Sequence, residues 1–215
     1  MTPSALPALA FFVSLTAFVF TGEAARAASS LAGQYDGSQM EVAAGLWLKP
    51  DGHFLYQLSY GALDEQASGR WTVSGDKVIL DGDPVKAPRI TLVSQMQGAP
   101  ATLRINTDAK DPYDQQNFNA LIKMASGPGE DVQLGVDGLT WPYPSAGTPT
   151  EVRLYFPVYD IVSDPVKLDA GSTLVFHFEP NDLGKADFRG TPLQVEGGVL
   201  VLKRFDRTLR FKRRG

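Results

Sequence analysis

A chain of 215 residues with 43% hydrophobic and 20% charged side chains is long enough for one large β domain or two small ones and too apolar for wholesale disorder. Twenty Lys plus Arg against 24 Asp plus Glu leave a net charge of -4, which argues against a nucleic-acid binder held by phosphate neutralisation. With no Cys there is no disulfide, thiolate zinc site or Cys nucleophile, and two His without an HxxxH pair leave little for imidazole chemistry.

Residues 1–27 read as a signal peptide. No side chain from Met1 to Gly22 is charged, and Ala5 to Phe20 is an apolar run of about 16 residues, inside the signal-peptide range and short for a membrane span. Ala25-Arg26-Ala27 supplies a small-x-small cleavage site before Ala28. The pattern predicts a periplasmic or secreted protein. The absence of Lys and Arg ahead of the apolar run leaves an uncleaved anchor open, and that is the one membrane contact expected.

Residues 28–92 alternate apolar and polar side chains between Gly, Pro and Asp punctuation, which predicts an antiparallel meander. Gly45 to Lys49 runs into the turn Pro50-Asp51-Gly52 and returns as His53 to Tyr60, with Phe54, Tyr56, Leu58 and Tyr60 on one face and His53, Leu55, Gln57 and Ser59 on the other. A loop, Gly61 to Ser68, leads to Gly69-Arg70-Trp71-Thr72-Val73, the turn Ser74-Gly75-Asp76 and Lys77 to Leu80. Leu46, Leu48, Phe54, Tyr56, Leu58, Trp71, Val73, Val78 and Leu80 are the expected core.

Residues 93–215 are expected to form a small β-sandwich region with C-terminal hairpins. Thr102 to Asn106, Asn119 to Met124, Val132 to Val136 and Glu151 to Phe156 read as strands between Pro- and Gly-rich loops. Trp141 to Pro149 carries three Pro and so reads as an edge or a polyproline-like loop. Further strands are expected at Ser172 to Phe178 and Thr208 to Lys212. Val73 to Leu80 and Val195 to Leu202 both fit V-x-G-x-x-[VL]-x-L, a strand, a Gly turn and a strand. Whether residues 172–215 complete the first unit or the second stays open. The fold class expected is all-β, a meander or barrel-like N-terminal unit plus a small sandwich.

The run Gly45-Leu46-Trp47-Leu48 through Asp51-Gly52-His53-Phe54, then Leu58 to Glu65 and Gly69-Arg70-Trp71, resembles a family of uncharacterised bacterial exported proteins over about a quarter of the chain. Its L-x-L-x-x-D-G-x-F followed by G-x-W is similar to the strand grammar of calycin-type barrels such as lipocalins. The middle segment is faintly similar to transthyretin-like or carboxypeptidase-regulatory sandwiches. The resemblance implies a barrel fold and no particular activity.

Asp64-Glu65 with Glu41 or Asp51 offer carboxylates for acid–base work, although neighbours in an exposed loop stay solvated. No G-x-S-x-G elbow and no phosphate-cradling Gly loop before a helix is present, so the protein is expected not to be an enzyme and to carry no cofactor or metal. Aromatic residues make the more informative set. Tyr56, Tyr60 and Trp71 either fill a barrel or line its cavity, and the Pro-flanked Trp141 and Tyr143 could form an exposed platform for sugar or peptide. These five are the candidate ligand-binding residues. The candidate partners are a protein, a glycan or a small apolar ligand, with no nucleic acid. An interior cavity beside Tyr56 and Trp71 would favour a lipocalin-like carrier, a packed interior would favour an interaction module, and facing carboxyls in a cleft would favour a hydrolase. The basic C-terminal run, Lys203 to Arg214, reads as a half-buried last strand with a charged outer face.

Overall fold

A computed structural model of the protein describes residues 30–98, 102–110, 113–142, 145–169, 171–204 and 207–215. The expected signal peptide and Tyr143 lie outside the described residues. The strands, in chain order, are β1 (Gly33–Asp36), β2 (Val42–Leu48), β3 (His53–Tyr60), β4 (Leu63–Ser74), β5 (Lys77–Gly82), β6 (Arg89–Gln97), β7 (Thr102–Thr107), β8 (Asn119–Met124), β9 (Glu130–Gln133), β10 (Leu139–Pro142), β11 (Pro149–Phe156), β12 (Ile161–Val162), β13 (Val166–Lys167), β14 (Ser172–Glu179), β15 (Thr191–Glu196), β16 (Val199–Arg204) and β17 (Arg207–Arg213). The fold is all-β, with short 3₁₀ turns at Gln115–Asn117 and Pro157–Tyr159 among the described residues.

Eight strands close into a barrel in the order β1-β17-β16-β15-β5-β4-β3-β2, each pair antiparallel. The period-2 pattern decides what goes inside: Val42, Ala44, Leu46 and Leu48 of β2 and Phe54, Tyr56 and Leu58 of β3 are buried, while the residues between them face out. Every residue of the expected core lies in this cluster, Val73 at its partly buried margin. The G-x-W signature has two mechanical jobs. A Cβ on Gly69, at φ 156°, would come within 2.2 Å of the Asp81 carbonyl oxygen, so only glycine lets β4 approach β5 here. Two residues on, the Trp71 indole Nε1 donates to the Lys49 carbonyl at 2.9 Å and its backbone N–H donates to Gly52, tying β4 to the β2–β3 turn.

The sandwich is inserted between β5 and β15. One sheet has the order β10-β7-β14-β6 and the other β12-β11-β8-β9, with β13 also paired to β11. Pairing is antiparallel except between β14 and β7, which run parallel because the chain crosses through the other sheet between them. Phe118, Phe156 and Phe178 pack ring against ring at 5.0–5.6 Å and make the centre of a second core. The Pro-rich run begins in β10, an edge strand, as its missing donors require.

The structure corrects two sequence expectations and decides a question left open. A division at residue 92/93 does not follow the pairing: β6 starts at Arg89 and belongs to the sandwich, and β15 to β17 leave the 93–215 region to close the barrel. Residues 172–215 are therefore split, β14 going to the sandwich and the last three strands to the barrel. The two similar hairpins, β4–β5 and β15–β16, lie side by side through β5 and β15, with Val195 N–H donating to the Asp76 carbonyl. Gly61 to Ser68 is not a loop, since from Leu63 onward it is the first half of β4. Leu63, Glu65 and Ala67 alternate inward against outward Asp64, Gln66 and Ser68, a period-2 pattern obscured by its polar content.

Candidate functional site

The expected aromatic residues are dispersed. Tyr56 and Trp71 are buried in the barrel core, where the Tyr56 ring meets Phe188 at 5.0 Å and Phe211 at 6.5 Å, so these aromatics fill the barrel. Tyr60 sits half-exposed at the barrel mouth, its hydroxyl accepting from Arg207 Nη2 at 2.8 Å and its ring covered by that guanidinium. Trp141 is not a surface platform: it is 8% exposed in the sandwich core, because its alternation with outward Thr140 and Pro142 turns the indole inward. The three tyrosine and tryptophan positions of the barrel thus share a unit but not a site.

The segment that joins the two units organises a different surface. The first half of β4 extends past β5, and residues 184–188 take the vacant place beside it. Gln66 N–H donates to the Gly184 carbonyl at 2.8 Å and Ala186 N–H to the Gln66 carbonyl at 2.9 Å. Ala186 and Phe188 then point into the barrel and are buried. Phe188 is the plug, packed on Phe54 and Tyr56 and under the Arg204 guanidinium at 5.3 Å.

Over this plug Arg204 at the end of β16 spans to Glu65 on β4, with Nε donating at 2.9 Å and Nη2 at 2.6 Å to the two carboxylate oxygens. Burial alone would lower the Arg204 pKa, but the hydrogen bonds and charge of Glu65 outweigh it and raise it. The Tyr56 hydroxyl, buried and without a well-formed hydrogen bond, is pushed well above its ordinary value, first by desolvation and then by the Glu65 charge, with Arg204 opposing.

Outside, the linker and the Tyr159 ring wall one side of a groove across β2, β3 and β4, and Arg214 stands at the other. Its volume is about 560 Å³, and a smaller extension of about 230 Å³ continues past Gly45 to Trp47 and Leu55. The register makes an ordered grid of outward side chains. Gly45 lies opposite Gln57, which lies opposite Gln66; one row along, Gln34, Trp47, Leu55 and Ser68 are in line; in the other direction Ala43, Ser59 and Asp64 are in line. Arg214 is fixed by its backbone N–H to the Gln34 carbonyl and by Asp36 at 3.4 Å, and a backbone N–H from Ser38 helps hold that carboxyl below its ordinary pKa. A second cleft, of about 360 Å³, lies around Tyr159 between Tyr60 and Leu63 of the barrel and Pro157 and Val158 of the sandwich. Outward Leu55, Gln57 and Ser59 were legible as one strand face. What the sequence did not signal was the wall, since the linker and Tyr159 come from far along the chain.

Acid–base groups do not converge in this groove. Asp64 faces out and Glu65 faces in to Arg204, as neighbours on a strand must. His53 pairs with Asp51 at 3.2 Å beside the turn, and His177 Nδ1 meets Asp108 Oδ2 at 2.5 Å on the sandwich. That dyad has no serine or threonine hydroxyl hydrogen-bonded to its ring among the described residues. Also among the described residues, no three His, Asp or Glu side chains gather as a cation site would need. The basic last strand is folded into the barrel: Leu209 and Phe211 are buried, Arg210 pairs with Glu196, and Arg213 donates to the Ser30 and Ala32 carbonyls. Searches against protein-family models, curated proteins and solved structures give no match for this chain.

Proposed function

We propose that this protein is an exported, non-enzymatic β-rich binding or interaction module of the bacterial envelope, and that its partner lies in the groove on the outer face of β2 to β4. Export rests on the apolar leader and its small-x-small site. One observation carries the rest: the barrel interior is filled by Tyr56, Phe188 and Phe211, while an open groove of about 560 Å³ runs along its outside. A lipocalin-like carrier needs the opposite arrangement, an empty interior within a closed wall. The groove offers amides, hydroxyls, an indole, the Asp64 carboxylate and the Arg214 guanidinium, and among the described residues no nucleophile held by a base, which supports the recognition reading.

Gly45→Tyr is the instrument of the test. Gly45 has no positive φ, and a Cβ there would meet only the flexible Gln57 amide at 3.4 Å, so the ring can stand in the groove without disturbing the barrel. Immobilised protein is exposed to solubilised bacterial envelope material. Specific retention by the natural sequence that is lost in Gly45→Tyr is the expected result; equal retention by both removes the groove from the reading. Enhanced fluorescence of 1-anilinonaphthalene-8-sulfonate, unaffected by Gly45→Tyr and abolished by a bulkier residue inside the barrel, would favour the carrier instead.

A further inference from the structure

We infer that the groove is a saccharide site and that it takes a short oligosaccharide laid along β2, an inference that rests on the binding-module reading above. A pyranose has two kinds of surface, a weakly polar face of C–H groups and a rim of hydroxyls that each both donate and accept. The grid presents the complement of both. Trp47, 40% exposed, and Leu55, 41% exposed, stand opposite each other at the smaller end. Next to them Gln57 and Gln66 stand opposite each other in register on β3 and β4, and the flexible Gln57 amide reaches over Gly45, where a Cβ would meet its nitrogen at 3.4 Å. A primary amide carries donors and an acceptor in one plane, so it can serve adjacent hydroxyls as a carboxylate or an ammonium alone cannot. The indole, with Lys49 Nζ over one face at 5.0 Å from the ring centroid, supplies a flat apolar surface on the other, with little entropy to lose on binding. From Trp47 to Ala43 the outward positions of β2 span about 13 Å, longer than one ring needs.

Other ligand classes fit less well. β1 to β3 are paired on both sides within the barrel and the first half of β4 is covered by residues 184–188, so this face offers a peptide no open strand edge. An amphipathic helix wants an apolar stripe along its whole contact, and only the Trp47 end of this groove is apolar. The Arg214 charge at the wall is already matched by Asp36, so no anion is called for.

Cellotetraose, chitotetraose and maltotetraose serve as probes, each titrated into the protein and followed by calorimetry and by tryptophan fluorescence. The other two tryptophans, Trp71 and Trp141, are buried, so a fluorescence change on binding reports on Trp47. The expected result is binding of at least one tetrasaccharide, weakened about tenfold or more by Trp47→Ala and lost in Gly45→Tyr, with the thermal midpoint unchanged. If Trp47→Ala lowers the midpoint, Gln57→Ala replaces it, since that side chain is fully outward. Binding that survives both Trp47→Ala and Gly45→Tyr overturns the site. Failure of all three probes to bind overturns the saccharide class. In that event, retention of envelope material that Gly45→Tyr abolishes leaves the groove reading standing, and absence of such retention overturns both.

Discussion

In the barrel, β1 near one end of the described chain hydrogen-bonds β17 at the other, whereas every strand of the sandwich comes from the single stretch between Arg89 and Glu179. The barrel therefore has no free edge and closes only when its last strand arrives, while the sandwich keeps β6, β9, β10 and the short β12 and β13 at its margins. Their cores differ in the same sense. The barrel core is sealed by a residue from outside the strands, Phe188, and by an ion pair that reaches across the gap left by the short β5. The sandwich core is sealed by its own aromatic cluster of Phe118, Phe156 and Phe178. A closed sheet assembled from two distant segments depends on its connections; an insert formed from one segment depends on its faces.

Two deletions would break this contrast most directly. Removing residues 207–215 takes out β17, strips β1 and β16 of a neighbour and uncovers Phe211 and Leu209 from the core, so the cooperative unfolding transition of the barrel should disappear. Removing residues 87–181 and joining the ends with a short Gly-Ser linker should leave that transition in place, because Lys86 and Asp182 already meet through two hydrogen bonds of 2.9 and 3.1 Å. Urea unfolding followed by tryptophan fluorescence separates the outcomes. A barrel that melts with the insert gone would show that the two units fold as one.

Phe188→Ala comes next in size. It opens a cavity against Phe54 and Tyr56 and removes the ring beneath Arg204, and the expected cost is about 3–5 kcal/mol in urea unfolding. A loss under 1 kcal/mol would mean that the linker is an ornament to the barrel and not its plug. Glu65→Ala should cost about 2–4 kcal/mol, because it leaves a largely buried guanidinium without its bidentate partner. The double replacement Glu65→Leu with Arg204→Met should recover most of that loss, since it removes the charge along with its partner.

Tyr56→Phe is the smallest and the most diagnostic. At neutral pH it should lie within about 1 kcal/mol of the natural sequence, because the hydroxyl has no well-formed hydrogen bond to lose. The folded hydroxyl is held above its ordinary value of 10.0, so its contribution to stability is complete below that value and lost as pH rises past it, where the unfolded chain ionises first. Tyr56→Phe should therefore flatten the alkaline decline of stability above about pH 10. Tyr35, Tyr155 and Tyr159, whose hydroxyls are also raised chiefly by burial, contribute to that slope in the same direction.

Much of the barrel was readable one strand at a time. The alternation in Val42 to Leu48 and His53 to Tyr60, the turn at Pro50-Asp51-Gly52 and the inward set Leu46, Leu48, Phe54, Tyr56 and Leu58 follow from period 2 and from glycine at φ 82°. These are local properties, and the side-chain pattern within about eight residues determines them. The candidate site was legible only in part, for Leu55, Gln57 and Ser59 could be placed on the outer face of one strand but not in a groove. Nothing local says that β17 pairs β1, that residues 184–188 replace the missing half of β5, or that Tyr159 walls the outer face of β2 to β4, because each is a choice among apolar surfaces distant along the chain. Trp141 shows the same limit in one residue. Its proline neighbours allowed an edge strand or a polyproline-like loop, and only the tertiary packing decided for the edge strand with the indole facing the sandwich core.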